Sequence, residues 1–155
     1  MVLEKKIFID NFLIKSKEAL IDAEINIENN RLNNAQNRIY YAIFYSVLAL
    51  GYLENFVTSK HFPLMGWFNK KFIHEEKIFE KNMFKIYNNA FENRQKSDYS
   101  IAAEPEKEDV VISLKDSKKF IEKIKSYIKK NMNNFIIVPN PMIGNVKNYG
   151  GINEI

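Results

Sequence analysis

Apolar side chains return at helical spacing along nearly the whole of this chain, and no alternating apolar–polar run of useful length appears before residue 135. That pattern restricts the fold to helices packed on helices. From Leu3 to Glu28, Phe8, Phe12, Leu13, Leu20, Ala23 and Ile27 mark one face of a first helix. From Leu32 to Leu53, Tyr40, Tyr41, Ile43, Phe44, Val47, Leu48 and Leu50 cover most of a second helix's circumference, so this helix should be central and contacted on several sides. Gly51 and Val57-Thr58-Ser59 interrupt the pattern. Ser59 is positioned to cap a shorter helix carrying Leu64, Trp67, Phe68 and Phe72, with Pro63 in its first turn.

A fourth helix is expected from about Glu75 to Arg94, with Ile78, Phe79, Phe84, Tyr87 and Phe91 on its buried stripe and the polar Gln95-Lys96-Ser97-Asp98 ending it. Ala102 to Glu106 reads as a loop, because Pro105 disfavours helix at Glu104. A fifth helix should cover Glu106 to Lys130 on Val110, Leu114, Ser117, Ile121, Ile124 and Ile128, with Lys and Glu on its outer faces. The expected fold is therefore all-α, an antiparallel bundle of about five helices joined by short loops. Residues 1–131 form the bundle in this reading. Residues 132–155, with Phe135-Ile136-Ile137-Val138 followed by Pro139, Pro141 and three glycines, read as an extended tail whose apolar hook docks on the bundle or on a partner protomer.

A chain of 155 residues makes one domain. Its 23 Lys and Arg against 19 Asp and Glu leave a net +4, which permits a phosphate-rich partner without demanding one. The absence of cysteine excludes disulfides, thiol catalysis and Cys-ligated metal centres. With no long apolar span and no signal h-region at the N-terminus, a soluble, cytoplasmic protein with no membrane contact is the expectation. There is no Gly-rich phosphate loop, no G-x-S-x-G elbow and no H-E-x-x-H helix. His74-Glu75-Glu76 lacks the second ligand at i+4 that zinc needs, so no metal site and no cofactor are expected.

The residues that remain informative are Arg38-Ile39-Tyr40-Tyr41-Ala42-Ile43-Phe44, then Lys60-His61, then Arg94-Gln95-Lys96-Ser97-Asp98-Tyr99. In their order and spacing they resemble the HEPN family of small helical proteins, in the branch with an R-x-Y-Y-A-x-F segment on a central helix. The resemblance covers about residues 10 to 130 and leaves out the tail. It implies a bundle of four or five helices, commonly a homodimer, paired with a small nucleotidyltransferase in toxin–antitoxin or defence systems. Many relatives are metal-independent ribonucleases whose signature is an Arg followed four to six residues later by a His.

This chain departs from that signature. Its only arginines are Arg31, Arg38 and Arg94, and neither His61 nor His74 follows one at that interval. Cleavage through a ribose 2′-OH needs a base titrating near neutrality and a cation at the phosphate. Arg94 supplies the cation, whereas Asp98 with an ordinary carboxylate pKa is a feeble base at pH 7. His61 is the remaining candidate, which makes Arg94 and His61 the candidate catalytic pair.

Arg38, Arg94, Asp98 and Tyr99 are the candidate nucleotide- or RNA-binding residues, expected to meet His61 in one polar cleft. Tyr99 would stack on a base or, as the resemblance to nucleotide-modified toxins implies, accept a nucleotidyl group. Plainer roles stand beside these: Tyr40, Tyr41 and Phe44 as core aromatics, Arg38 as an anchor for Asp98, His61 as a turn residue, and Arg94–Asp98 as an ion pair closing the fourth helix on the second. Three functions compete: a HEPN partner of a nucleotidyltransferase that binds nucleotide or RNA with weak or no catalysis, a ribonuclease toxin with a displaced histidine, and a non-catalytic helical adaptor.

Overall fold

The computed structural model describes residues 2–99 and 104–137. Among them are five α-helices: α1 (Val2–Glu28), α2 (Leu32–Leu53), α3 (His61–Phe68), α4 (Lys81–Tyr99) and α5 (Lys107–Ile137). No strand occurs among the described residues. The molecule is an antiparallel helical bundle.

The α1–α2 turn is made by Asn30, which takes a left-handed φ of 59° that asparagine tolerates better than most residues. The chain then runs back along α1, so that Phe8 stacks on Tyr52 at 4.8 Å and the buried Ser16 hydroxyl donates to the Ala42 carbonyl at 2.6 Å. α2 packs against α1, α3, α4 and α5. Ile39, Tyr40, Ala42, Ile43, Val47 and Leu50 are all essentially inaccessible, as a helix apolar around its circumference requires.

Gly51 lets the chain leave α2. The Phe56 N–H donates to the Gly51 carbonyl at 2.8 Å, and a Cβ on Gly51 would collide with the Phe56 carbonyl oxygen. α3 then starts at His61 with Lys60 as its N-cap and no side-chain cap. The expected Ser59 cap is not made. Thr58 Oγ1 instead accepts from the Lys60 N–H at 3.2 Å, fixing the turn one residue before the helix.

α3 continues into a π-helical stretch, Asn69–Glu75, in which Phe72 and Ile73 are buried, and two residues beyond it Lys77 takes a φ of 52°. Consequently α4 begins at Lys81, not at Glu75, and Ile78 and Phe79 precede it. Its buried face is Met83, Tyr87, Ala90 and Phe91. At the other end α4 runs through Gln95–Asp98 to Tyr99, because that polar stretch contains no Gly or Pro to stop it.

α5 also outruns its expected end at Lys130 and continues to Ile137, since Asn131 to Asn134 hold no breaker and the first proline is Pro139. Side chains of the apolar hook, and everything after Ile137, lie outside the described residues. The Tyr127 hydroxyl donates to Glu54 at 3.1 Å and Lys118 pairs with Glu24, tying α5 to α2 and α1. Among the described residues no helix is long and apolar enough to cross a membrane.

Candidate functional site

Antiparallel packing of α4 on α2 brings the first half of α2 beside the last turns of α4. Two polar pairs fix the alignment: the Ser97 hydroxyl donates to Gln36 Oε1 at 2.5 Å, and Asn37 Nδ2 donates to Asp98 at 3.2 Å. Arg94 and Asp98 lie on one face of α4 at i, i+4, and Arg94 Nε donates to Asp98 Oδ2 at 2.8 Å. Arg94 is well covered, with a side chain 13% exposed against 25% for Asp98.

Above this pair lies an aromatic floor. The Arg94 guanidinium carbon stands 5.6 Å from the Tyr40 ring centroid and 5.2 Å from that of Tyr41. The Arg38 guanidinium is also 5.2 Å from the Tyr41 ring. Two cations therefore share one aromatic ring. Arg38 does not anchor Asp98; its Nε and Nη2 donate to the side-chain oxygen of Asn37 at 3.1 and 2.9 Å. Asn37 thus orients both the carboxylate and the second guanidinium. Two positive charges and one negative leave the cluster with a net positive charge, suited to a phosphate.

His61 reaches the same floor from the start of α3. Its ring lies 4.7 Å from Phe44, 5.5 Å from Tyr40 and 6.4 Å from Phe91. The Tyr40 phenol oxygen is 2.6 Å from His61 Nδ1, its one hydrogen-bond partner among the described residues. Tyr40 is fully buried. With this phenol as the donor its hydrogen is satisfied at Nδ1, an assignment that puts the imidazole proton on Nε2. Burial, reinforced by Tyr41 and opposed by Arg94, pushes the Tyr40 phenol far up, so it stays a donor. Burial first, and then the Arg94 charge, hold the His61 imidazole below its ordinary 6.5.

Arg38, His61, Arg94 and Asp98 thus come together around Tyr40 and Tyr41, from three separated parts of the chain. Tyr40 and Phe44 are buried and Tyr41 is half-buried against them. Tyr99 is 75% exposed at the end of α4, outside these contacts. Asn37 was not legible as a site residue on its own. The signal that finds it is the antiparallel alignment, which sets Gln36 against Ser97 and Asn37 against Asp98. Among the described residues no group of three His, Asp or Glu side chains is placed to hold a metal ion.

Residues 9–127, from the first third of α1 to the body of α5, match the HEPN domain. The chain belongs to the HEPN domain family. It is 36% identical over 126 residues to a "UPF0332 protein" of Thermotoga maritima, a match covering 81% of this chain and 95% of that protein. Two proteins of Methanocaldococcus jannaschii are also similar. "Putative toxin MJ0142" is 33% identical over 122 residues, with 77% of this chain and 82% of the relative covered. "Putative toxin MJ0605" is 31% identical over 118 residues, covering 74% and 84%. All the residues of the aromatic floor and its charged rim fall inside the HEPN match.

Proposed function

We propose that this HEPN protein is the toxin-like member of a toxin–antitoxin or defence-type pair, acting in the cytoplasm as a homodimer with a small nucleotidyltransferase as its partner. It binds nucleotide or RNA phosphate through Arg38 and Arg94 and has weak or no catalysis of its own. The observation carrying this reading is the pair of guanidiniums, each 5.2 Å from the Tyr41 ring, compensated by the single carboxylate of Asp98. A phosphate entering the cluster replaces Asp98 on one guanidinium fork, while an exposed Tyr99 offers a ring for a base or a hydroxyl for nucleotidyl transfer. The names of the two archaeal relatives support the toxin-like role.

His61 decides between binding and cleavage. Arg94 and His61 both lie within 6 Å of the Tyr40 ring centroid, and the Arg94 charge acts on the imidazole. As a general base for a 2′-OH, His61 needs a free lone pair on Nε2, whereas the Tyr40 donor fixes the tautomer that carries a proton there. In this form Nε2–H donates to a phosphate oxygen and accepts nothing. The test is incubation with end-labelled single-stranded RNA in EDTA. Bound, uncut RNA is expected. Cutting that disappears in His61→Ala, with the helical CD signal intact, would replace this reading with the ribonuclease one.

A further inference from the structure

Phe62 is the most exposed phenylalanine among the described residues, with 69% of its surface in water. An isolated exposed apolar residue is ordinary, so its position carries the argument. It follows His61 directly in the first turn of α3, and its ring meets the Phe91 ring at 5.1 Å and an angle of 63°. Phe91 in turn lies 5.6 Å from Tyr40 and 6.4 Å from His61. On α4 it stands three residues before Arg94, one helical turn away and on the same side. The Tyr40 ring thus has Arg94, His61 and Phe91 around it, and Phe62 carries the aromatic floor from Phe91 out into solvent.

The ring is held in place before any ligand arrives. On one side of it in the chain, His61 is tied to the Tyr40 hydroxyl at 2.6 Å; on the other, Pro63 has a fixed φ. Phenylalanine turns about only two side-chain torsions, so little freedom is lost when its ring is covered. The contact with Phe91 sets the ring's tilt, and the remaining exposure leaves a face open. A rigid, open aromatic ring next to a cationic cluster is how proteins hold single-stranded nucleic acid, with the backbone on the cations and a base flat on the ring.

We infer that Phe62 is a stacking subsite for one unpaired base of an RNA strand whose phosphate lies on Arg38 and Arg94. This rests on the phosphate-binding reading above and adds the base to it. Tyr99 lies about 12 Å further along α4 than Phe91, too far to cover the same base. A base inside a duplex is stacked between its neighbours and has no face left for a side chain, so the subsite selects single-stranded RNA. It reads no sequence, because every base has a π-face.

The test separates the base from the charge by using two probes, a labelled single-stranded RNA and inorganic polyphosphate, which carries phosphate charge without bases. Phe62→Ala is expected to weaken RNA binding by about 5- to 150-fold, the range for losing one stacked base, and to leave polyphosphate binding unchanged. Phe62→Leu keeps an apolar contact on Phe91 without a π-face and should behave like Phe62→Ala; Phe62→Trp should bind RNA at least as well as wild type. Arg94→Ala should weaken both probes. CD spectra and melting curves of the Phe62 variants should match wild type, since the ring is mostly in water.

RNA affinity unchanged in Phe62→Ala and Phe62→Leu, with Arg94→Ala weakened, would overturn the stacking subsite and leave the phosphate site standing. Phe62→Ala weakening polyphosphate as much as RNA would also overturn it, because the ring would then only be bracing the cluster. A wild type that binds neither probe would overturn the phosphate-binding reading itself, and the subsite with it.

Discussion

Two neighbouring tyrosines make a matched experiment. Tyr40 and Tyr87 are both fully buried, with ring centroids 6.4 Å apart. The Tyr40 hydroxyl is bonded to His61 Nδ1 at 2.6 Å, while the Tyr87 hydroxyl has no hydrogen-bond partner among the described residues. Tyr40→Phe removes a bond worth about 0.5–1.5 kcal/mol net and leaves Nδ1 without its donor, a further cost that the partial exposure of His61 moderates. The expected loss is about 1–2 kcal/mol. At roughly 2–4 °C per kcal/mol for a chain of this size, the melting temperature falls by about 2–8 °C.

Tyr87→Phe deletes an oxygen that is desolvated without compensation, and stability should stay level or rise by up to about 1 kcal/mol. Urea denaturation measures both, with the midpoint moving and the m-value constant. A Tyr40→Phe that costs nothing would mean that the Tyr40–His61 bond does not hold α3 to α2. A Tyr87→Phe that costs as much as Tyr40→Phe would mean that the Tyr40 loss does not report that bond.

Further outcomes follow from other parts of the fold. Because the folded His61 titrates below its ordinary 6.5, the unfolded chain takes up that proton first as the pH falls. The stability from a neutral His61 is therefore complete above pH 6.5 and is lost between 6.5 and the lower folded value. Urea midpoints at about pH 7.5 and pH 5.5 should converge between wild type and His61→Gln on acidification; a constant difference would contradict this. Gly51→Ala should destabilise by about 1–3 kcal/mol despite alanine's better helix propensity, because its Cβ meets the Phe56 carbonyl in backbone that cannot yield cheaply. A melting temperature at or above wild type would show that the α2 exit is looser than described.

How far the sequence discloses this fold depends on what sets each boundary. α2 is legible to the residue, because it is apolar all round and carries, two residues before its end, a glycine that the structure uses as an exit. The start of α4 is not. Ile78 and Phe79 continue the apolar spacing while the backbone has already left the helix, and the left-handed residue there is Lys77, which carries no glycine or asparagine signal. The end of α5 is hidden for the opposite reason: an asparagine run resembles a terminator but forces nothing.

At the site, the sequence offers Arg94–Asp98 only as an ion pair closing the fourth helix on the second; because α4 runs on to Tyr99, the pair lies within α4 at i, i+4. That Asn37, and not Arg38, reaches Asp98 depends on the rotation of α2 against α4, which only side-chain packing fixes. The donor direction of the Tyr40–His61 bond likewise becomes readable only once the phenol is seen to be fully buried.

The central claim is that Arg94 and Asp98 govern an anion site from opposite sides, and the salt dependence of RNA binding tests it. Affinity for a labelled single-stranded RNA is measured by fluorescence anisotropy over a series of salt concentrations for wild type, Arg94→Ala and Asp98→Asn. Each phosphate contact adds roughly 0.7 to the slope of log affinity against log salt on a single strand. The account predicts that Arg94→Ala weakens binding and flattens the slope by about that amount, while Asp98→Asn, freeing the guanidinium from its own carboxylate, strengthens binding. Equal affinity and equal slope in all three proteins would contradict it, and would leave Arg94–Asp98 as an ion pair that only fastens α4 to α2.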